Sequence, residues 1–196
     1  MAENSALSSP SLGHLNSVQL NVITVVDLHK AVANNTLDGA LYMIDNSVGS
    51  TGRGTAHLQT VCKQGQVINW LIYAMDMELR TDKTTWPYTR TLPPLPRINN
   101  IVFLDDQEGD EEYVAESKVC TEFKIYGGPD KIYSPDPLTP LYFYWAGTVL
   151  SDLPPGVYKY RLILELEQEG TKEKVYLNTV EKPSLKVIKM SDDFED

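Results

Sequence analysis

The sequence predicts an all-β protein: a single antiparallel β-sandwich of about nine or ten strands with one short helix near the N-terminus. Three observations carry that expectation. Residues 157–167 alternate strictly, with Tyr158, Tyr160, Leu162, Leu164 and Leu166 on one face and Lys159, Arg161, Glu165 and Glu167 on the other. That is the period of a half-exposed strand. Gly- and Pro-rich turns punctuate the chain at short intervals, from Gly49, Gly52 and Gly54 to Pro154-Pro155-Gly156. Only the segment after residue 27 has helical spacing of any consequence.

The elements follow in order. Val18 to Val26 is rich in β-branched residues and reads as a full strand. Asp27 stands at a helix N-cap, where its carboxylate can accept free amide protons of the first turn. Leu28, Ala31 and Val32 continue at helical spacing until Asn34, Asn35 and Gly39 end it. Leu41 to Asp45 is a short strand. Thr55 to Cys62 and Gln66 to Leu79 read as a hairpin across Lys63-Gln64-Gly65. The second arm is apolar on both faces, with Val67, Leu71 and Tyr73 against Ile68, Trp70 and Ile72. That pattern predicts a central strand covered on both sides. Ile98 to Leu104, Val119 to Tyr126, Leu141 to Thr148, Lys174 to Thr179 and Leu185 to Lys189 complete the set. Leu20, Val22, Ile68, Trp70, Ile72, Phe143, Trp145, Leu162 and Leu164 are the expected core.

Residues 18–190 read as one sandwich domain, 1–17 as a disordered leader and 191–196 as an acidic tail. The chain carries 17 Lys+Arg against 27 Asp+Glu, a net charge of −10. Asp105, Asp106, Glu108, Asp110, Glu111 and Glu112, with Asp192, Asp193, Glu195 and Asp196, account for the whole excess. Such a balance argues against nucleic-acid binding, which needs clustered basic residues. No apolar run is long enough for a membrane span. Glu3 stands where a signal peptide would be basic and no apolar core follows, so the expected location is cytoplasmic.

The N-terminal half carries a recognisable series. Val25-Val26-Asp27 leads into the helix, then Leu41-Tyr42-Met43-Ile44, then Gly49, Gly52, Gly54 and Thr55. Leu58 and Gly65-Gln66-Val67-Ile68-Asn69-Trp70 follow. Near the end stand Tyr176 and Lys182-Pro183-Ser184-Leu185-Lys186-Val187, with Lys182 in place of an acid. This series resembles the inclusion body proteins of the PixA/AidA type, most specifically over residues 20–72. The resemblance implies a small cytoplasmic β-protein that accumulates, in some members as crystalline inclusions and in some under population-density control. It brings no catalytic residues.

The chemistry-bearing residues give little else. The turn from Gly49 to Thr55 lacks the Lys-Ser/Thr pair and following helix of a phosphate loop, so a sandwich turn is expected. His14, His29 and His57 have no zinc spacing, and no metal or cofactor is expected. The run 105–112 holds carboxylates that could face calcium but misses EF-hand spacing, which leaves that question open. Cys62 and Cys120 read as buried hydrophobes. Trp86 and Tyr133, in Pro-rich loops, are the candidate ligand-binding residues. Two functions stay open: a non-enzymatic, self-associating protein whose partner is itself, or a lectin-like sandwich that binds a glycan.

Overall fold

A computed structural model describes residues 19–75, 96–104, 117–121, 123–127, 143–168, 173–180 and 182–190. Within them the chain is β throughout, apart from one helix. The first strand, β1 (Leu20–Asp27), runs into α1 (Leu28–Asn34). The Asp27 carboxylate accepts the Lys30 amide at 3.1 Å, and Asn35 closes the helix in the left-handed region at φ 50°, a conformation Asn tolerates better than most residues. Then come β2 (Leu41–Asp45), β3 (Gln59–Lys63), β4 (Val67–Met75), β5 (Arg97–Phe103) and β6 (Lys124–Gly127). The last four are β7 (Phe143–Thr148), β8 (Gly156–Glu167), β9 (Lys174–Asn178) and β10 (Ser184–Ile188).

These ten strands form two sheets packed face to face, the first in the order β2-β1-β4-β7-β6 and the second β3-β10-β8-β5, with β9 also on β8. The sheets are mixed, which corrects the expectation of a purely antiparallel sandwich. Strand β4 runs parallel to β1, and β10 parallel to β3. The cause is a crossover. After β2 the chain leaves the first sheet, lays β3 in the second, and returns as β4 in the direction of β1. A parallel pair needs a long excursion of this kind.

The expected hairpin is therefore a bridge between sheets. Gly65, at φ 74°, turns the chain, and the Gln66 amide bonds back to the Lys63 carbonyl at 3.2 Å. Gln64 N then reaches Ile188 O at 3.1 Å in one sheet, while Gly65 N reaches Val149 O at 2.9 Å beside the other. Beyond residue 178 the chain bulges away from β8 and rejoins it as β10. Thr179 Oγ1 accepts the Leu162 amide at 3.2 Å, and Pro183 O accepts Tyr160 N at 2.9 Å. The bulged stretch thus keeps its bonds to β8.

The core lies between the sheets. Leu20, Val22, Ile68, Trp70, Ile72, Trp145, Leu162 and Leu164 are buried as expected, while the Phe143 side chain lies outside what is described. The alternation of β8 holds, its even-numbered residues from Tyr160 to Leu166 fully buried. The two-sided cover expected for β4 does not. Its inner residues are buried, but on the outer face Leu71 is half-buried and Val67 and Tyr73 are exposed. The strand is central in its sheet, and its outer face meets solvent. Val119 and Cys120 precede β6 as a bend and an isolated bridge to Val149, so that strand is shorter than expected. Among the described residues no helix is long and apolar enough to cross a membrane.

Trp70 is fully buried and edge-on to two other rings. Its replacement by Ala is expected to cost about 3–5 kcal/mol, measured as the shift in urea unfolding free energy; a cost below about 1 kcal/mol would place it at the surface.

Candidate functional site

The Gly-rich stretch between β2 and β3 is the first place to look for chemistry, and several of its groups are bonded into the fold. Gly49, Gly52 and Gly54 all have φ between 73° and 84°. At Gly52 an added Cβ would sit 2.6 Å from the His57 carbonyl, so no side chain fits there. The stretch straps one flank of the sandwich. Met43 N donates to Thr55 O at 3.2 Å and Gly54 N to Met43 O at 2.7 Å, on the open edge of β2. Thr51 and Gln59 exchange bonds of 3.1 and 2.9 Å at the edge of β3.

Arg53 locks the strap. Its Nε and Nη2 both donate to Asp45 Oδ1 at 3.1 Å, and Nη2 also donates to the Ser47 carbonyl. The Asp45 side chain is buried, and Ser47 N donates to the same oxygen at 3.2 Å. The strap's guanidinium and these backbone amides serve the fold, and a strand follows instead of a helix. The expected sandwich turn is what the geometry contains. Spacing did not reveal the Arg53–Asp45 pair, because the two residues meet only through the fold of the turn.

A second group of reactive side chains lies in the core. Cys62 and Cys120 are both buried free thiols. Burial pushes Cys62 up to about 12. Burial, with Cys62 adding to it, pushes Cys120 higher still. Burial also raises the Tyr160 hydroxyl; the nearby Asp45 and thiols add to that, and the Trp70 indole opposes it. Protonated thiols are neither nucleophiles nor ready metal ligands. His29 on α1 and His57 in the strap are exposed. Among the described residues no three His, Cys, Asp or Glu side chains gather to hold a metal.

The candidates Trp86 and Tyr133 lie outside the described residues, as do the acidic run 105–112 and His14. Of the aromatics flanking the second Pro-rich loop, Tyr126 is described. It is exposed on β6, its ring stacked on Tyr144 of β7 at 5.1 Å and 17°. Sequence reasoning passed over that pair because the β6–β7 register that joins it is non-local.

Against known proteins, the model of a domain of unknown function (DUF8788) matches residues 18–84, the stretch holding β1 to β4. No curated protein matches the chain. Among solved structures 13 chains match. One is the crystal structure of an inclusion body protein (PixA) from Burkholderia cenocepacia J2315, with a TM-score of 0.55 over 93% of this chain and 99% of that one. What the two share is the fold. Their sequences are 9% identical, so the likeness carries the architecture and no residue-level role. The architecture implied by the resemblance in residues 20–72 is the one observed.

Two outcomes follow from these geometries. Replacing Arg53 by Ala leaves the buried Asp45 carboxylate without its cation and is expected to cost about 2–3 kcal/mol. The double variant with Asp45→Ala should lose less than the two single losses combined, as urea unfolding would read. The thiols and Tyr160 make stability depend on alkaline pH. Each is an acid whose folded value lies above its unfolded one, so the folded protein keeps protons the unfolded chain gives up. Their contribution is complete below about pH 8.5 and is lost as pH rises toward the folded values. Unfolding free energy in reducing buffer should fall by about 2–4 kcal/mol between pH 8 and 10, and a flat profile would contradict buried thiols.

Proposed function

We propose that the protein is a non-enzymatic, self-associating cytoplasmic protein of the inclusion-body kind. The observation that carries this reading is the two-sheet fold shared with an inclusion body protein across nearly the full length of both chains. The side chains that could have done chemistry support it. Arg53 is held by Asp45, and both thiols are kept protonated in the core. In the Gly-rich stretch the Thr51 and Gly54 amides are bonded to strand edges. Each of these groups stabilises the sandwich in place of a substrate.

Ten net negative charges oppose association, and exposed charges are screened by salt. Analytical ultracentrifugation should therefore show sedimentation rising with concentration. The rise should be steeper at higher salt, nearer the pI of 4.7, and after deletion of residues 191–196. A concentration-independent monomer under all these conditions would end the reading and leave the glycan-binding alternative.

A further inference from the structure

The described outer face of the first sheet is largely apolar and aromatic and in part exposed, and strand register aligns it into rows. Val25 on β1 pairs with Tyr42 on β2 and Tyr73 on β4. One row along, Ile44, Ile23 and Leu71 are paired across the same three strands, and Tyr144 and Tyr126 extend the row through β7 to β6. Tyr42 is 36% exposed, Ile44 42%, Tyr73 36% and Tyr126 40%. In the third row Asn69 Nδ2 donates to Asn21 Oδ1 at 2.9 Å. Lys124, at the β6 end of that row, is the one charged side chain among the described residues of the three rows.

We infer that this face is where a second copy of the chain docks, face to face about a two-fold axis. The inference rests on the self-association proposed above and names its surface. In a two-fold contact each residue approaches the same patch on its partner, so an acid-bearing surface would repel its own copy. On a chain of net charge −10, the described residues of these rows bring no carboxylate to the contact. Tyrosine with aliphatic side chains and few charges is also the composition of an interface centre. Five strands about 4.8 Å apart and about 20 Å long give a face of about 480 Å², near 1,000 Å² for both copies, the lower bound for a specific interface. Edge pairing is the poorer route on the β2–β3 flank, because the strap already bonds Met43 and Gln59 there. A sugar would need polar groups beside the rings, and in the adjoining row the Asn69 amide nitrogen is already bonded to Asn21 Oδ1.

The test uses the full chain, its Tyr73→Lys variant at the centre of the face and Ile44→Lys nearer its rim. Each is checked by circular dichroism and run in analytical ultracentrifugation at moderate salt. The expected result is a wild type that dimerises and variants that keep the native spectrum while their dimer Kd rises at least about 10-fold, the effect of losing an interface anchor. If Tyr73→Lys does not fold, Ile44→Lys carries the test alone. Folded variants that dimerise as the wild type does would overturn the inference while self-association stands. A monomeric wild type would overturn both, as would a monomer that retains a glycan through Tyr73 on an array.

Discussion

Trp70 and Tyr160 meet edge to face across the gap between the sheets, ring centroids 6.1 Å apart, and much of the structure depends on that contact. Trp70 is also edge-on to Phe123 at 5.5 Å, and Phe103 lies parallel to Phe123 at 6.5 Å while tilting against Tyr160 at 5.6 Å. One cluster thus ties β4, β5, β8 and the residue leading into β6. Edge-on pairs are favourable beyond the area they bury, because the positive ring edge meets a negative face. Room for Phe123 is left by Gly147, where a Cβ would lie 2.8 Å from the ring. Trp145 adds a polar tie between the sheets, its indole N–H donating to the Ile98 carbonyl at 2.9 Å. The ladder between β5 and β8 slips at that point, between Ile98 and Asn100. Anything polar beside this cluster loses water. That is why Cys62, Cys120 and the Tyr160 hydroxyl all hold their protons.

A sandwich has two exposures to manage, its strand edges and its outer faces. On the flank of β2 and β3 the strap meets the first, giving each edge strand a bridging partner and pinning itself through Arg53. Its glycines matter for this reason. At Gly52 the absence of a side chain lets the backbone come close to His57, and Gly49 and Gly54 admit the positive φ of the turn. The second exposure is treated unevenly. The outward residues of β8 include Lys159, Arg161, Glu165 and Glu167, and Glu165 is bonded across to Lys174 and Tyr176 of β9. The outer face of the first sheet carries tyrosines and branched aliphatics instead. Water solvates one outer face well and the other poorly, on the same fold.

Local signals in the sequence were sufficient wherever the structure is decided locally. The N-cap at Asp27, the turn at Gly65 and the alternation of β8 each depend on a few adjacent residues, and each reads correctly. Pairing does not work that way. A Gly-containing turn between two strand-like runs looks the same whether the second run folds back beside the first or crosses to another sheet. The Lys63–Gly65 turn therefore predicts a hairpin, whereas the chain crosses there and makes the parallel pairs β1–β4 and β3–β10. The two-sided apolarity of β4 is subtler. Burial by another layer and exposure for a partner leave the same pattern of Leu71 and Tyr73 beside Ile68 and Ile72. Only the register, which sets Val25 and Ile23 beside them, separates the two. The proposed ligand residues were sought on loops, where Trp86 and Tyr133 stand, while the aromatic rows lay on a sheet.

Whether an acidic chain can bring two such faces together is a question of magnitude. A folded chain of this length has a radius of gyration of about 16 Å, so two copies in contact have centres about 33 Å apart. Treated as point charges of −10 each, they repel by about 13 kcal/mol in water without salt. Screening reduces this to about 4 kcal/mol at 0.01 M salt and to about 0.2 kcal/mol at 0.15 M. Association already costs about 4–15 kcal/mol in lost freedom, and the surface it buries must exceed that before any affinity appears. At about 0.01 M salt the charge term matches the lower end of that cost; at about 0.15 M it is smaller than one net hydrogen bond. The acids therefore cannot keep copies apart in the cell by long-range repulsion. Only placement at the contact itself would do that, and the described residues of the rows on the first sheet carry none.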